Sequence, residues 1–414
     1  MSEQSASRLS ELQAWVDKRF PLTSTWRYHM TEYYVPKNIN FWYLFGSLSI
    51  LVLVIQIITG IWLTMYYQPS VDRAFASVEF IMRDVEWGWL MRYLHTVGAS
   101  AFFVVVYLHM FRCLMYGSYK KPRELLWIIG VLIYLVMMTE AFMGYALPWG
   151  QLSYWATQVI VALFGVVPFI GDDLVVWLQG GFLVNEATLG RLFSLHVIGL
   201  PLVLILLVFL HIVALHHVGS SSPDGVEIKE NKDKNGKPVD GIAFHPYVTV
   251  KDMVGMGIFL IIFCAIVFFA PEFFGYFIEA PNLEEANPLQ TPETIHPIWY
   301  FTAWYAMLQC VPNEALGVVV MFAGSMILLF LPWIDRSEVR SIRYRGRGFK
   351  IALAVFVASF LILTWAGMQE PSGLPMLISR IFTVVYFGFF VFLWVYTYFG
   401  FEQTKPVPER VTDK

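Results

Sequence analysis

Two hydrophobic stretches each carry two histidines about four helical turns apart, and few folds can use such a pattern. The first, R-Y-L-H-T-V-G-A-S-A-F-F-V-V-V-Y-L-H-M-F-R from Arg92 to Arg112, sets His95 and His109 fourteen residues apart. The second sets His196 and His211 fifteen apart. At about 1.5 Å rise per residue, each separation is about 21–22 Å along a helix axis. At about 100° per residue, fourteen steps fall some 40° short of four turns, so His95 and His109 share one face. Fifteen steps overshoot by about 60°, an excess that a kink at Pro201 is expected to absorb. Two such helices face to face bring their histidines together in pairs at two depths. The result is two bis-imidazole cages, suited to two stacked, non-covalent haems. A lone histidine in a membrane helix is more often a packed, hydrogen-bonded residue, but two matched pairs of costly ionisable groups favour metal ligation.

Two further spacings support haem. Gly46 and Gly60 are fourteen apart in an earlier apolar run, as are Gly130 and Gly144 in a later one. Glycine weakens a helix, but its missing side chain lets a flat macrocycle approach the backbone. Small-residue helix packing would account for one such pair; recurrence at the histidine spacing favours the macrocycle. Arg92 lies three residues before His95, and Arg112 three after His109. Each is one turn nearer the water, where haem propionates would point and a guanidinium fork suits a carboxylate. Arginines snorkelling at a membrane boundary are the alternative.

The chain is 57% hydrophobic and 14% charged, a balance that points to a polytopic membrane protein. A net charge of −3 gives no sign of nucleic-acid binding. Cys113, Cys264 and Cys310 stand singly without C-x-x-C-H, which excludes c-type haem attachment and a disulfide framework. The expected fold is all-α. Eight runs can cross a ~30 Å core, near 43–67, 91–116, 126–147, 192–216, 252–270, 316–333, 349–367 and 378–400, the first four forming the di-haem bundle. Residues 1–40 form an N-terminal surface segment with Trp15, Trp26 and Tyr28 as interfacial anchors. Residues 41–217 form the haem-binding half. Within it, 148–190 has too many polar and helix-breaking residues to span, so a surface helical hairpin is expected between helices three and four, with amphipathic stretches near 152–165 and 173–179. Residues 218–250 form a hydrophilic loop, 251–401 a C-terminal four-helix half, and 402–414 a tail.

Loop charge sets the orientation. The loops Y-G-S-Y-K-K-P-R and D-R-S-E-V-R-S-I-R-Y-R-G-R-G are basic, whereas 271–315 holds six glutamates and no lysine or arginine. The positive-inside rule then puts both termini in the cytoplasm and 271–315 outside. His95 pairs with His196 at the outer depth, and His109 with His211 at the inner. His29, His217, His245 and His296 are read as surface residues.

The histidine pairs, the four glycines, G-Y-A-L-P-W-G-Q at 144–151 and P-I-W-Y at 297–300 resemble the cytochrome b family over about residues 30–400. That family supplies the haem- and quinone-binding subunit of quinol–cytochrome c oxidoreductase, respiratory complex III. The resemblance implies an enzyme that oxidises quinol at an outer site. One electron goes to a Rieske iron–sulfur protein. The other crosses a low-potential outer and a high-potential inner b haem to an inner quinone site, coupled to proton translocation. It also implies ubiquinone, a c-type cytochrome partner, surrounding lipid, a homodimeric complex and a bacterial inner membrane. By position, the outer site resembles Tyr145, Pro297, Trp299, Tyr300 and Tyr305, with Ala156 on the surface helix. The inner site resembles His216, Ser220, Phe244, Lys251, Asp252 and Tyr43.

Three departures stand out. The fifteen-residue histidine spacing resembles photosynthetic plastoquinol relatives, although one continuous eight-span chain does not. Ala156 follows Trp155 where the family usually has glycine. Most consequential, the family's Pro-Glu-Trp-Tyr reads P-I-W-Y, so Ile298 stands in place of an outer-site carboxylate. Glu140, four residues before Gly144 and on the same helical face, is the expected substitute proton acceptor; Glu293 lies in a more polar loop. Two other functions compete. A di-haem membrane anchor of a quinone-linked dehydrogenase would need neither the hairpin nor P-I-W-Y. A transporter should show an inverted repeat and matched broken helices, and neither is visible.

Overall fold

The computed structural model describes residues 3–412, so the first two and last two residues of the expected N-terminal segment and tail lie outside it. Among the described residues, eight helices are long and apolar enough to cross a bilayer. They are Phe41–Thr64, Gly88–Tyr116, Glu124–Ala146, Glu186–Val218, Phe244–Phe269, Glu314–Ile334, Arg347–Ala366 and Gly373–Tyr398, called spans one to eight below. Each coincides with an apolar run of the sequence. Span four starts earlier than its apolar run because Asn185 caps it: the Asn185 side chain accepts from Ala187 N, and Thr188 completes a capping box. The expected hairpin is present as the helices Gln151–Val166 and Gly171–Gln179.

Span four contains a π-helical turn over Leu195–Gly199, directly at His196. A π turn inserts about one residue into an α-helix. It therefore takes up the extra residue between His196 and His211 and returns the two rings to the register of a fourteen-residue spacing. Pro201, expected to kink the helix, instead follows this turn, where its missing N–H is cheap.

The connection from span five to span six is not wholly outside the bundle. Its apolar stretch T-A-W-Y-A-M-L-Q forms a helix, Thr302–Gln309, with Thr302, Ala303, Trp304, Ala306 and Met307 all buried. It is too short to span, but its apolar side chains need cover, and it packs against spans six to eight. Trp304 Nε1 donates to Tyr134 Oη at 3.1 Å, and Tyr107 Oη donates to the Tyr300 carbonyl at 3.1 Å. These bonds tie P-I-W-Y to spans two and three.

The basic loops and both ends of the described chain gather at one end of the bundle. Tyr34–Pro36 pairs antiparallel with Gly241–Ala243. Asp224 is fully buried and takes hydrogen bonds from Asn38, Arg343 and Thr412. Asp240 receives a two-pronged pair from Arg410. The 218–250 loop is thus pinned at both flanks, and its exposed tip covers 231–237.

Asp335 centres a buried charge cluster at this end. Its carboxylate meets Lys120 Nζ at 2.9 Å and Arg345 Nη1 at 2.7 Å, with all three side chains buried. Burial alone would raise the Asp335 pKa, but Lys120 and Arg345 hold it below the usual carboxylate range. Burial also pushes Lys120 down to about 8 against the pull of Asp335. Removing the carboxylate leaves Lys120 hydrogen-bonded only to the carbonyls of residues 335 and 337, and leaves Arg345 only Glu402; breaking a buried pair typically costs about 3–5 kcal/mol. Asp335→Ala is therefore expected to lower the thermal unfolding temperature of the detergent-solubilised protein sharply. An unchanged melting temperature would show that the cluster contributes nothing to stability.

Candidate functional site

The histidines meet as two pairs at two depths. The rings of His95 and His196 lie with centroids 6.2 Å apart, and those of His109 and His211 6.5 Å apart. A metal–nitrogen bond of about 2 Å on each side, plus roughly 1 Å from nitrogen to ring centre, calls for about 6 Å. Both pairs fit one metal between two imidazoles.

The second shared feature is the glycine opposite each ring. A Cβ on Gly60 would lie 3.2 Å from His95 Cε1, and one on Gly46 3.3 Å from His109 Cε1. For Gly130 the distance to His211 Cε1 is 3.2 Å, and for Gly144 it is 2.4 Å from His196 Cε1. Each glycine thus makes room for an imidazole leaning across from the next span, a closer role than admitting the macrocycle alone. Hydrogen bonding prepares the rings of His95 and His196 as ligands, whereas Nδ1 of His109 and of His211 has no partner among the described residues. The Thr59 hydroxyl donates to the Ile55 carbonyl at 2.7 Å, so it accepts from His95 Nδ1 at 2.9 Å. His196 Nδ1 lies 3.0 Å from both the carbonyl and the carboxylate Oε1 of Glu140. A hydrogen on Nδ1 leaves the Nε2 lone pair free for a metal.

Glu140, the expected proton acceptor, is therefore engaged by His196. Its second oxygen is buried with no partner among the described residues. Arg92 lines the cavity beside His95. Arg112 lies over the Tyr43 ring at 4.4 Å and donates to Ser118 Oγ at 3.1 Å. Its buried Nε has no partner among the described residues, which suits an anionic group of a bound ligand.

The His95–His196 pair opens into a cavity of about 520 Å³ that also reaches Tyr145, Glu279, Ile298 and Tyr300. The local chain explains its wall. Pro148 ends span three, and Trp149 is buried with φ at +56°, a costly conformation for a bulky residue. Gly150 lets the acidic connection approach: a Cβ there would lie 2.7 Å from the Asn282 carbonyl. Gln151 N donates to the Glu284 carbonyl at 2.9 Å, and Ser153 N to Asn282 Oδ1 at 2.7 Å. The hairpin thereby clamps residues 279–287 beside Tyr145. Tyr300 stacks on Phe103 with centroids 3.9 Å apart.

Not every expected outer-site residue faces this cavity. Trp299 Nε1 donates to Ser100 Oγ at 3.1 Å, and Tyr305 Oη to the Ile295 carbonyl at 2.8 Å. Ala156 is buried within the hairpin helix, and neither it nor Pro297 lines the cavity. These four brace the wall rather than form it. The residue that sequence reasoning missed is Glu279. It is only 7% exposed, accepts a very short hydrogen bond from the Tyr145 hydroxyl, and places Oε1 3.4 Å from His296 Nδ1. His296, read as a surface residue, is half-buried against it. Burial pushes Glu279 up to about 7. The available signal was its apolar context, F-F-G-Y-F-I-E, among six glutamates of one connection.

At the basic end, His216 stacks on Tyr33 with centroids 4.3 Å apart. Tyr33 Oη lies 3.3 Å from Ser220 Oγ, and the Phe244 ring is tilted against Tyr33 with centroids 6.1 Å apart. His29, also read as a surface residue, places Nδ1 3.0 Å from His216 Nδ1. The tilt of the N-terminal segment back over the bundle brings it there, and no sequence spacing could reveal that. Asp252 is bonded by Ser47, Tyr43 donates to the Ser221 carbonyl at 2.7 Å, and Lys251 reaches Tyr247 at the surface. The structure gathers His216, Ser220 and Phe244 and sets Lys251 apart.

Comparison with known proteins agrees with this arrangement. Residues 30–219 match the family model "Cytochrome b/b6/petB", and residues 285–387 match "Cytochrome b(C-terminal)/b6/petD". The chain is 59% identical to cytochrome b of Allochromatium vinosum over 97% of its own length and 99% of that protein's. To cytochrome b of Rickettsia typhi it is 48% identical, covering 96% of each. Among solved structures it resembles a chain of "Hyperthermophilic respiratory Complex III", with a TM-score of 0.86 and 38% identity over 93% of this chain and 98% of that one. An eight-span architecture, paired histidines at two depths and identity along nearly the whole length lead to one conclusion: this integral membrane protein belongs to the cytochrome b family.

Proposed function

We propose that the chain is the haem- and quinone-binding subunit of a quinol–cytochrome c oxidoreductase of the respiratory complex III type. It works in a bacterial inner membrane with both termini cytoplasmic, beside a Rieske iron–sulfur protein and a c-type cytochrome in a homodimeric complex. The observation that carries this reading is the coincidence of two histidine pairs, each ring faced by its own glycine, with a clamped cavity at the outer pair. His95 with His196 and His109 with His211 would hold two b haems, with Arg92 and Arg112 toward their propionates. When bound, those haems supply one-electron transfer between the two ends of the membrane.

The protein's own groups do the rest. Tyr145 and Tyr300 shape the outer cavity for a quinol ring, and the hairpin keeps water out while quinol is oxidised. The carboxylate of Glu140 fixes the His196 tautomer and supports the imidazole as a ligand. At the basic end, His216 with Asp252 supplies protons to a ubiquinone ring held near Ser220 and Phe244. Oxidation at one end and reduction at the other move protons across the membrane.

A reduced-minus-oxidised spectrum should show two non-covalent b haems per chain, and quinol should drive reduction of cytochrome c by the complex. A dehydrogenase anchor would show the haems without that turnover, and this result would overturn the proposal. His216→Ala is expected to leave both haems bound but slow reoxidation of the inner haem by quinone at least about tenfold, within the usual range for losing an acid–base group. Stopped-flow reoxidation at the parent rate would remove His216 from the inner site.

A further inference from the structure

Oxidising a quinol to a quinone releases two electrons and two protons, and the carboxylate that the resemblance would place at 298 is an isoleucine. Resting on the quinol-oxidation reading above, we propose that Glu279 accepts one quinol proton at the outer site and passes it to His296, which releases it to water on the hairpin side.

Position comes first. Glu279 lines the same cavity as Ile298, Tyr145 and Tyr300, so a quinol hydroxyl that reaches those side chains reaches its carboxylate. Its two oxygens face different ways. Oε2 takes the Tyr145 hydroxyl and lies 3.3 Å from Asn282 Nδ2, on the cavity side. Oε1 faces His296 Nδ1 at 3.4 Å. Glu279 is buried, whereas the His296 side chain is about one-third exposed, at 34%. A proton entering on one oxygen therefore has an exit on the other, toward a ring that touches water.

Charge is the second support. The groups facing Glu279 are Tyr145 from span three, Asn282 from its own loop, and His296 and Tyr300 from the P-I-W-Y segment. No lysine or arginine pairs with it among the described residues. A fixed cation there would hold the carboxylate ionised and weaken it as a base. Burial instead brings the group to about 7, which suits proton transfer near neutral pH. Glu140 is less suited, because its carboxylate is committed to His196 Nδ1.

The step balances as follows. Both quinol O–H bonds break: one proton goes to the Glu279 carboxylate, and the other goes to a base carried by the iron–sulfur partner. The electrons leave singly to the two one-electron acceptors of the proposed reaction, an iron–sulfur cluster and the outer b haem. The Glu279 O–H bond then breaks as His296 Nδ1 takes the proton, and the imidazolium loses its other ring hydrogen to water.

The test uses the intact purified complex. In the parent, quinol–cytochrome c turnover should rise with pH through about 7, as the Glu279 carboxylate ionises. Glu279→Gln should keep both b haems, lose on the order of a hundredfold in turnover and lose that rise. Adding Ile298→Glu to it should recover much of the loss, which a purely structural defect would not permit. Infrared titration should show a protonated-carboxyl band disappearing through about pH 7 that is missing from Glu279→Gln. Turnover within about twofold of the parent, with the parent's pH profile, would overturn the proposal, because a lost acid–base group costs about 10²–10⁴. Should Glu279→Gln lose its haems, His296→Ala decides, since it leaves the Tyr145–Glu279 bond intact. It should turn over slowly and recover with added imidazole; unchanged turnover counts against the relay. A parent complex that oxidises no quinol would fail at the proposed function itself, before any variant is compared.

Discussion

Replacing His109 with leucine is expected to empty the inner haem site while the outer one remains full and reducible by quinol. Leucine fills much of the imidazole volume without a lone pair, so the metal loses one of its two protein ligands while the packing changes little. The site makes His109 and His211 cleaner to replace than His95 and His196. His109 Nδ1 has no hydrogen-bond partner among the described residues, so its removal strands nothing. His196→Leu differs, because it leaves the largely buried Glu140 carboxyl group without its ring partner, and an unpaired buried polar group is costly. The haem-to-protein ratio of His109→Leu should fall by half in a chain that still folds, whereas His196→Leu should also reduce the yield of folded protein. Equal loss of both haems from a folded His109→Leu would show that the histidines do not pair by depth.

Gly144→Ala should be as damaging as loss of a ligand, although it removes no functional group. The added methyl would sit 2.4 Å from His196 Cε1, 2.9 Å from Nε2 and 3.0 Å from Nδ1. No rotation of the imidazole about its own axis relieves three short contacts at once. The ring must leave its position, and it is tethered there by Glu140. Overpacking of this kind typically costs about 1–3 kcal/mol, and here the cost falls on a ligand whose position decides binding. Gly130→Ala is the control, since its methyl would lie 3.2 Å from His211 Cε1, a contact that shifts of a few tenths of an ångström relieve. Optical titration with haem should show the outer site lost or strongly weakened in Gly144→Ala and nearly intact in Gly130→Ala. Equal behaviour of the two would mean that glycine spacing, rather than local clearance, governs the site.

Much of this was legible in the sequence because it is periodic. Eight apolar runs, the histidine and glycine spacings and the polar hairpin are all one-dimensional signals of helix length and face. Contacts between distant segments were not legible. His29 reaches His216 across the fold, and Glu279 reaches Tyr145 only because Gly150 admits the acidic connection to the hairpin. Each looked like a loop residue, since neither belongs to a repeating face. The π turn at Leu195–Gly199 was hidden for another reason. An inserted residue and a proline kink leave the same mark on a spacing, and only backbone hydrogen bonding separates them. Glu140 shows the limit of face-based reasoning: its face was read correctly, but the imidazole that would occupy it was not foreseen.

The glycine–histidine contacts run strictly within consecutive spans. Gly60 and Gly46 of span one face His95 and His109 of span two, and Gly144 and Gly130 of span three face His196 and His211 of span four. Both units therefore present one blueprint: a glycine helix running toward the hairpin end, then a histidine helix running back. The two units run in the same sense across the bundle rather than inverted. A single antiparallel helix pair, used twice, would carry the complete ligand set. An ancestral duplication and a synthetic minimal di-haem peptide would start from the same helix–turn–helix unit, with about four helical turns separating its paired sites.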